Sequence, residues 1–218
     1  MSGDYGHFSL KESYSIINSC IDNQYFHFDT APNYGKGKIE KIIGKYTNSN
    51  KNLIIDTKIG NSPNNIKSFK KIDLKKSFFS SLDRLKLGQI NTLYLHNPRV
   101  TDIKILKLID LLNEFKEKNL CNKIGISLAK DYIYKTSILK KFDIVQVDFN
   151  ILRPLDYSLT SLTNLYARSI YASGILSKNK SLKFNDFNKK GDHRSVWLQK
   201  ERLEYLNTQL FLIRNIID

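Results

Sequence analysis

The sequence from position 92 to position 127, TLYLHNPRVTDIKILKLIDLLNEFKEKNLCNKIGIS, contains one complete strand–helix–strand unit. Two short apolar runs, residues 92–95 and 123–126, have the length and composition of strands in a buried parallel sheet. Between them, residues 103–118 place apolar side chains at the spacing of an amphipathic helix. The unit therefore predicts two parallel strands joined by a helical crossover.

The same alternation extends in both directions along the chain. Further apolar runs lie at residues 25–28, 53–55, 144–147 and 169–171. Further helical patterns lie at residues 9–23, 39–46, 73–87, 133–141, 158–166 and 193–217. Ser9 and Glu12 have the spacing of a capping box at the start of the first helix. Repeated strand–helix order predicts an α/β fold with right-handed crossovers, either an open doubly wound sheet or a barrel. No G-x-G-x-x-G follows the first strand, which weighs against a dinucleotide-binding open sheet.

Composition and targeting signals indicate a soluble, cytoplasmic protein. The 218 residues, 41% of them hydrophobic, can supply one sizeable core, and no apolar run approaches the roughly 18 residues of a membrane span. The first eleven residues lack the apolar stretch of a signal peptide. Cys20 and Cys121 are too few for a disulfide framework and lack metal-ligand spacing, so we expect reduced thiols and no metal.

The formal charge of +14 raises the alternative of nucleic-acid binding. The lysines, however, are spread along the chain among Asn and Ile, with no compact basic tract interleaved with aromatic residues. We therefore expect a lysine-rich solvated surface and no nucleic-acid partner.

Polar residues at or just after the strand ends are the candidates for chemistry, because side chains converge at the carboxyl ends of parallel strands. Asp29 ends the first apolar run and Tyr34 follows it by five residues. Lys58 follows the second run, and His96 ends the third. Singly, each has an ordinary explanation as a cap, a packing residue or a solvated side chain.

Together these four side chains form a coherent set for delivering a proton to a carbonyl oxygen. A phenol such as Tyr34 is an effective acid near neutral pH only if a nearby cation lowers its pKa from about 10. Lys58 is that candidate cation, and Asp29 would hold it by ion pairing. His96 can donate a hydrogen bond that orients the carbonyl.

The motifs around these residues resemble those of the aldo-keto reductase family. The resemblance rests on FDTAPNYG at residues 28–35 followed by Glu40 and Gly44, on TKIG at residues 57–60, and on LYLHN at residues 93–97. It implies a (β/α)8 TIM barrel that reduces an aldehyde, ketone or sugar carbonyl. It also implies that Tyr34 is the general acid, that Lys58 tunes it with Asp29 as its partner, and that His96 positions the substrate.

The resemblance also implies a nicotinamide cofactor, NADP(H) with NAD(H) as the alternative. Ser127 ends a strand similar to the one that holds the nicotinamide amide, although Leu128 stands where many members have Asn. Gln146 matches the strand glutamine that contacts the same amide. Gly174 and Leu176 lie in a segment similar to the loop that covers the nicotinamide and pyrophosphate.

The barrel implied by the resemblance is incomplete, since six strands are counted where the family has eight. Residues 2–6 resemble the loop after the family's first strand, so we expect a single domain, residues 1–218, that lacks the first and last barrel strands. Two exposed sheet edges would then favour association of copies into a homo-oligomer. The alternative is a catalytically silent barrel relative, or a fragment of a longer reductase, that acts as a binding or regulatory subunit.

Overall fold

The strands and helices alternate along the chain in the order that the sequence predicts. The computed structural model describes residues 9–128, 134–176, 183, 185, 187 and 192–217. The strands are β1 (His27–Asp29), β2 (Ile54–Ile59), β3 (Ile90–His96), β4 (Cys121–Ser127), β5 (Ile144–Asp148) and β6 (Leu165–Arg168). The helices are α1 (Leu10–Asp22), α2 (Lys38–Ile43), α3 (Lys71–Leu85), α4 (Asp102–Glu117), α5 (Thr136–Leu139), α6 (Arg194–Trp197) and α7 (Lys200–Ile217). Short 3₁₀ turns span Tyr34–Gly37, Tyr157–Leu159 and Ala172–Gly174.

The sheet order distinguishes between the two architectures that the sequence leaves open. The six strands lie side by side in chain order, β1 to β6, and every neighbouring pair is parallel. A doubly wound sheet would reverse its order at a switch point, whereas this sheet continues in one direction as a barrel does. The described strands form a curled half-barrel with flanking helices, and the predicted incomplete (β/α)8 fold is confirmed.

The main core lies between the outer face of the sheet and the helices. On α3 the fully buried side chains include Leu74, Phe78 and Leu85, and α4 contributes Ile105 and Leu112. Their spacing places each set on one helical face, so the 3.6-residue period of the sequence directs both helices onto the sheet. The other face of the strands is left to line the lumen of the half-barrel.

The amino-terminal cap of α1 is confirmed. The Ser9 side chain accepts from the Glu12 backbone, and the Glu12 carboxylate accepts from the Ser9 backbone at 2.7 Å. This reciprocal pair satisfies two backbone donors that would otherwise face solvent unpaired at the start of the helix.

Three predicted elements in the last third of the chain are wrong. The sixth strand is Leu165–Arg168 and not residues 169–171, because the chain turns at Ser169, whose φ is 59°. In place of the predicted helix at residues 158–166, a 3₁₀ turn spans Tyr157–Leu159 and β6 begins at Leu165. The Asp156 side chain accepts from the Ser158 backbone, a local bond that competes with helix formation. The long final helix is divided at Leu198, whose ψ of 60° is not helical.

Some expectations concern residues that the structure does not describe. Residues 2–6 and most of residues 178–190 lie outside the described ranges. Within those ranges β1 and β6 each pair with one neighbour, and the expected association of copies through these edges stays a prediction. No helix in the described part of the chain is both long and apolar enough to cross a membrane.

Candidate active site

Lys58 and Asp29 form an ion pair inside the lumen at the carboxyl ends of β1 and β2. The Lys58 side chain is 1% exposed, and its Nζ lies 2.5 Å from Asp29 Oδ1. Nζ also donates to the backbone carbonyl of Thr30 at 3.0 Å. A buried ammonium needs such partners to stay charged, and here a carboxylate and a carbonyl provide them.

Tyr34 is placed over this pair by the turn that follows β1. The Lys58 ammonium lies 5.2 Å from the centroid of the Tyr34 ring. The His96 ring meets the same ring edge-on, with centroids 6.1 Å apart and planes at 89°. The Tyr34 side chain is half-buried, and none of the described residues hydrogen-bonds to its hydroxyl.

His96 ends β3 and is a neutral imidazole over most of the pH range. Burial lowers the pKa of His96 to about 3, and the positive charges of Lys58, Arg168 and Lys67 add to that effect. Its Nδ1 is buried without a partner among the described residues. A neutral ring has one N–H to donate, which suits it to orient a carbonyl oxygen.

Ser127 and Gln146, the candidate cofactor contacts, lie in one row with His96. His96 is in register with Ser127 on β4, and Ser127 is in register with Gln146 on β5. Neighbouring residues in register point to the same face, so the three side chains share the lumen. Both Ser127 and Gln146 are buried.

Gln146 also contacts the predicted catalytic group, a link that the sequence does not reveal. Its Nε2 donates to Asp29 Oδ2 at 3.2 Å across the lumen, between residues 117 positions apart. Its Oε1 is buried and has no partner among the described residues. An unpaired buried acceptor beside Ser127 fits the amino group of a nicotinamide carboxamide, so the residues present suit that part of the cofactor.

Gly174 and Leu176 lie in the loop after β6. Gly174 has φ 86°, and the Leu176 backbone donates to Tyr171 O at 3.2 Å. Their neighbours Ser173 and Ile175 line a cleft of about 1240 Å³ between this loop and α7. The loop is thus at the border of a cleft, while Gly174 and Leu176 themselves are not among the residues that line it.

Arg168 is a candidate site residue that the strand-end rule missed. It ends β6, and its guanidinium bonds Asp148 Oδ1 at 3.0 Å and the Leu128 carbonyl at 3.0 Å. Its Nε is buried without a described partner, and it lines the cleft after β6. Arg168 does end a partly apolar strand, residues 165–168. The predicted sixth strand, residues 169–171, begins after Arg168, so the strand-end rule did not select it.

The described ranges contain no candidate metal centre. Within them, no three His, Cys, Asp or Glu side chains come together as a metal site. Cys121 is buried in the core and Cys20 is half-buried. The best candidate for chemistry in the described part of the chain is therefore the lumen site. Its four residues, Asp29, Tyr34, Lys58 and His96, form the tetrad.

Comparison with known proteins agrees with this fold and motif set. The sequence model of the aldo/keto reductase family matches residues 1–211, and the chain belongs to that family. D-threo-aldose 1-dehydrogenase from Pseudomonas sp is 22% identical over 204 residues, which cover 77% of this chain and 62% of that enzyme. The chain therefore spans less than two thirds of that relative's length.

Solved structures show the same fold at low sequence identity. Glycerol dehydrogenase AKR11B4 from Gluconobacter oxydans superimposes with a TM-score of 0.72 at 19% identity, covering 94% of this chain and 68% of that one. The holo form of aldo-keto reductase AKR11C1 from Bacillus halodurans gives a TM-score of 0.68 at 21% identity, covering 84% and 64%.

Proposed function

We propose that this protein reduces the carbonyl group of an aldehyde, ketone or sugar with NAD(P)H, and that Tyr34 delivers the proton. The observation that carries the proposal is the placement of Lys58. Its buried ammonium is held by Asp29 and lies 5.2 Å from the Tyr34 ring, while His96 borders that ring on another side.

Each member of the tetrad has one role in the proposed reaction. The neutral His96 donates a hydrogen bond to the carbonyl oxygen and fixes its orientation. The Tyr34 hydroxyl gives its proton to that oxygen as negative charge develops there, and the Lys58 ammonium stabilises the phenolate that remains. Asp29 keeps Lys58 in place. Since Lys58 and His96 are buried, their interactions are screened less by solvent than those of exposed groups.

The cofactor, when bound, supplies the hydride. Gln146 Oε1 would accept a hydrogen bond from its carboxamide, and the Ser127 hydroxyl would contact the same group. We assign Gly174 and Leu176 to the loop that covers the cofactor. Family membership supports NADP(H) as the proposed cofactor, with NAD(H) as the alternative, and the proposed substrate is a small carbonyl compound.

The first experiment is a fluorescence titration of the purified chain with NADPH, followed by a panel of carbonyl substrates. We expect saturable binding and turnover. Tyr34→Phe should lower kcat by about 10²-fold to about 10⁴-fold, since it removes the acid, and should leave NADPH affinity unchanged. Tyr157→Phe is the matched control, because Tyr157 is 90% exposed on a turn outside the lumen.

The outcomes separate the two functional classes. Turnover that depends on Tyr34 supports the reductase. NADPH binding without turnover of any carbonyl favours the catalytically silent binding subunit, and no binding contradicts both the cofactor and the reaction proposed here.

A further inference from the structure

The segment that carries Tyr34 is attached at both ends to two consecutive residues of β2. At its start, Asp29 is bound by Lys58 on the lumen side. At its end, Glu40 accepts a 2.7 Å hydrogen bond from the Thr57 hydroxyl on the helix side. Successive residues of a strand point to opposite faces, so Thr57 and Lys58 hold the segment from both faces of the sheet.

Glu40 is a fully buried carboxylate whose two oxygens are both used. It is 0% exposed in the first turn of α2. Beyond the bond from Thr57, its Oε2 accepts a 2.7 Å hydrogen bond from Nε of Arg84 on α3, and Arg84 Nη2 lies 2.7 Å from the same oxygen as an ion pair. Arg84 Nη2 donates in turn to Ser81 Oγ at 3.0 Å. Through Thr57 and Arg84, the Glu40 carboxylate joins β2, α2 and α3 at one point with charge-assisted contacts.

Arg84 also supports the turn on which Tyr34 sits. The three residues after Tyr34 have positive φ values: 56° at Gly35, 56° at Lys36 and 82° at Gly37. A left-handed backbone at a lysine is unfavourable, so surrounding contacts must hold the turn. Gly37 packs so closely on Arg84 that an added Cβ would lie 3.2 Å from Arg84 Cδ.

We propose that the hydrogen-bonded group of Thr57, Glu40 and Arg84 is a positioning device that sets the Tyr34 ring beside the Lys58 ammonium. The inference rests on the proposed function for its effect on catalysis. Thr57 and Lys58 are adjacent, so a shift of α2 away from Thr57 moves the turn while Lys58 stays anchored. A displacement of about 1 Å between reacting groups can lower a rate by about a hundredfold.

The test compares two buried threonines. Thr57→Val removes the hydroxyl that binds Glu40 and keeps the side-chain shape. Thr47→Val is the matched control, because the Thr47 hydroxyl is also buried and donates to Leu85 O at 2.9 Å, joining the turn after α2 to the end of α3 without touching β2. Thr57→Ser restores the hydroxyl. Kinetics, NADPH affinity and the ¹³Cζ resonance of Tyr34, assigned with Tyr34→Phe, are measured for each variant.

We expect both valine variants to lower Tm, but only Thr57→Val to lower kcat, by between about tenfold and about a hundredfold, at unchanged NADPH affinity. Thr57→Ser should recover the rate. Equal effects of the two valine variants on kcat, or no effect of either, overturn the proposal. If the wild-type chain shows no turnover, the proposed function fails, and the ¹³Cζ chemical shift of Tyr34 alone tests the positioning role. That chemical shift must change in Thr57→Val and remain unchanged in Thr47→Val.

Discussion

Protonation of His96 is unfavourable in the folded protein, and this makes the fold sensitive to acid. Its pKa is lowered from 6.5 to about 3, first by burial and then by neighbouring positive charges. In the unfolded chain the ring takes a proton below pH 6.5, whereas the folded ring stays neutral until about pH 3. The stability that depends on neutral His96 is therefore complete above pH 6.5 and is lost progressively as the pH falls towards 3.

Urea unfolding at two pH values compares the free energy of unfolding of wild type with that of His96→Gln. Between about pH 7.5 and about pH 4.5, wild type should lose about 3 kcal/mol more of its free energy of unfolding than the variant. The His27 pKa is shifted upward by its hydrogen bond to Asp56, an effect of opposite sign, but it is common to both proteins and cancels in the difference. Equal acid sensitivity of the two proteins would contradict a buried, neutral His96.

Single residues at strand ends are the part of the site that the sequence predicts best. Side chains at the carboxyl ends of neighbouring parallel strands converge, so Asp29, Lys58 and His96 could be grouped from their positions at or just after the apolar runs. Contacts between distant segments leave no such pattern. The Gln146–Asp29 bond and the Arg84–Glu40 pair span 117 and 44 positions, and only the curvature of the sheet and the packing of helices bring them together.

At the scale of elements, β4 carries a glycine that the neighbouring strand requires. A Cβ at Gly125 would lie 2.4 Å from Cδ1 of Tyr94, the residue in register with it on β3. Tyr94 is 0% exposed, so its ring has no free space into which it could move. The centroid of the Tyr94 ring lies 5.9 Å from the Lys58 ammonium, so this packing borders the tetrad.

Gly125→Ala should therefore lower the free energy of unfolding by about 1 to 3 kcal/mol, as overpacked cores do. Gly88→Ala is the control, because a Cβ there meets nothing within 4 Å. Its effect should stay within about 0.5 kcal/mol. Urea unfolding of both variants checks the prediction, and a Gly125→Ala protein as stable as Gly88→Ala would show that the Tyr94 ring can move after all.

Elements with a strong apolar period were predicted correctly, and the failures lie where that period is weak. Helices α3 and α4 bury one regular face, and β2 to β5 each contain a short run of apolar residues. Residues 158–166 instead alternate Leu with Ser, Thr and Asn, whose side chains bond the nearby backbone. There a weak helical pattern competes with local turns, and the turns prevail.

At the scale of the whole molecule, Gln146 connects opposite sides of the sheet and is also the proposed contact of the cofactor. This side chain holds Asp29 with its amide nitrogen and presents a buried oxygen without a described partner. Any bound group that satisfies this oxygen stabilises the folded state relative to the unfolded chain, which has no such site. Since Gln146 lies on β5 and Asp29 on β1, the bond spans the half-barrel from one side to the other.

We therefore predict that NADPH raises the Tm of the whole chain, and that Gln146 carries part of the effect. At about 100 times its Kd, a ligand stabilises by about 2.7 kcal/mol, which corresponds to roughly 5 to 10 °C for a domain of this size. Gln146→Met should show a clearly smaller shift at the same NADPH concentration, whatever its starting Tm. Gln89→Met, at an exposed loop position before β3, should show the wild-type shift. An equal shift in Gln146→Met and wild type would place the nicotinamide away from β5, and with it the hydride donor away from Tyr34.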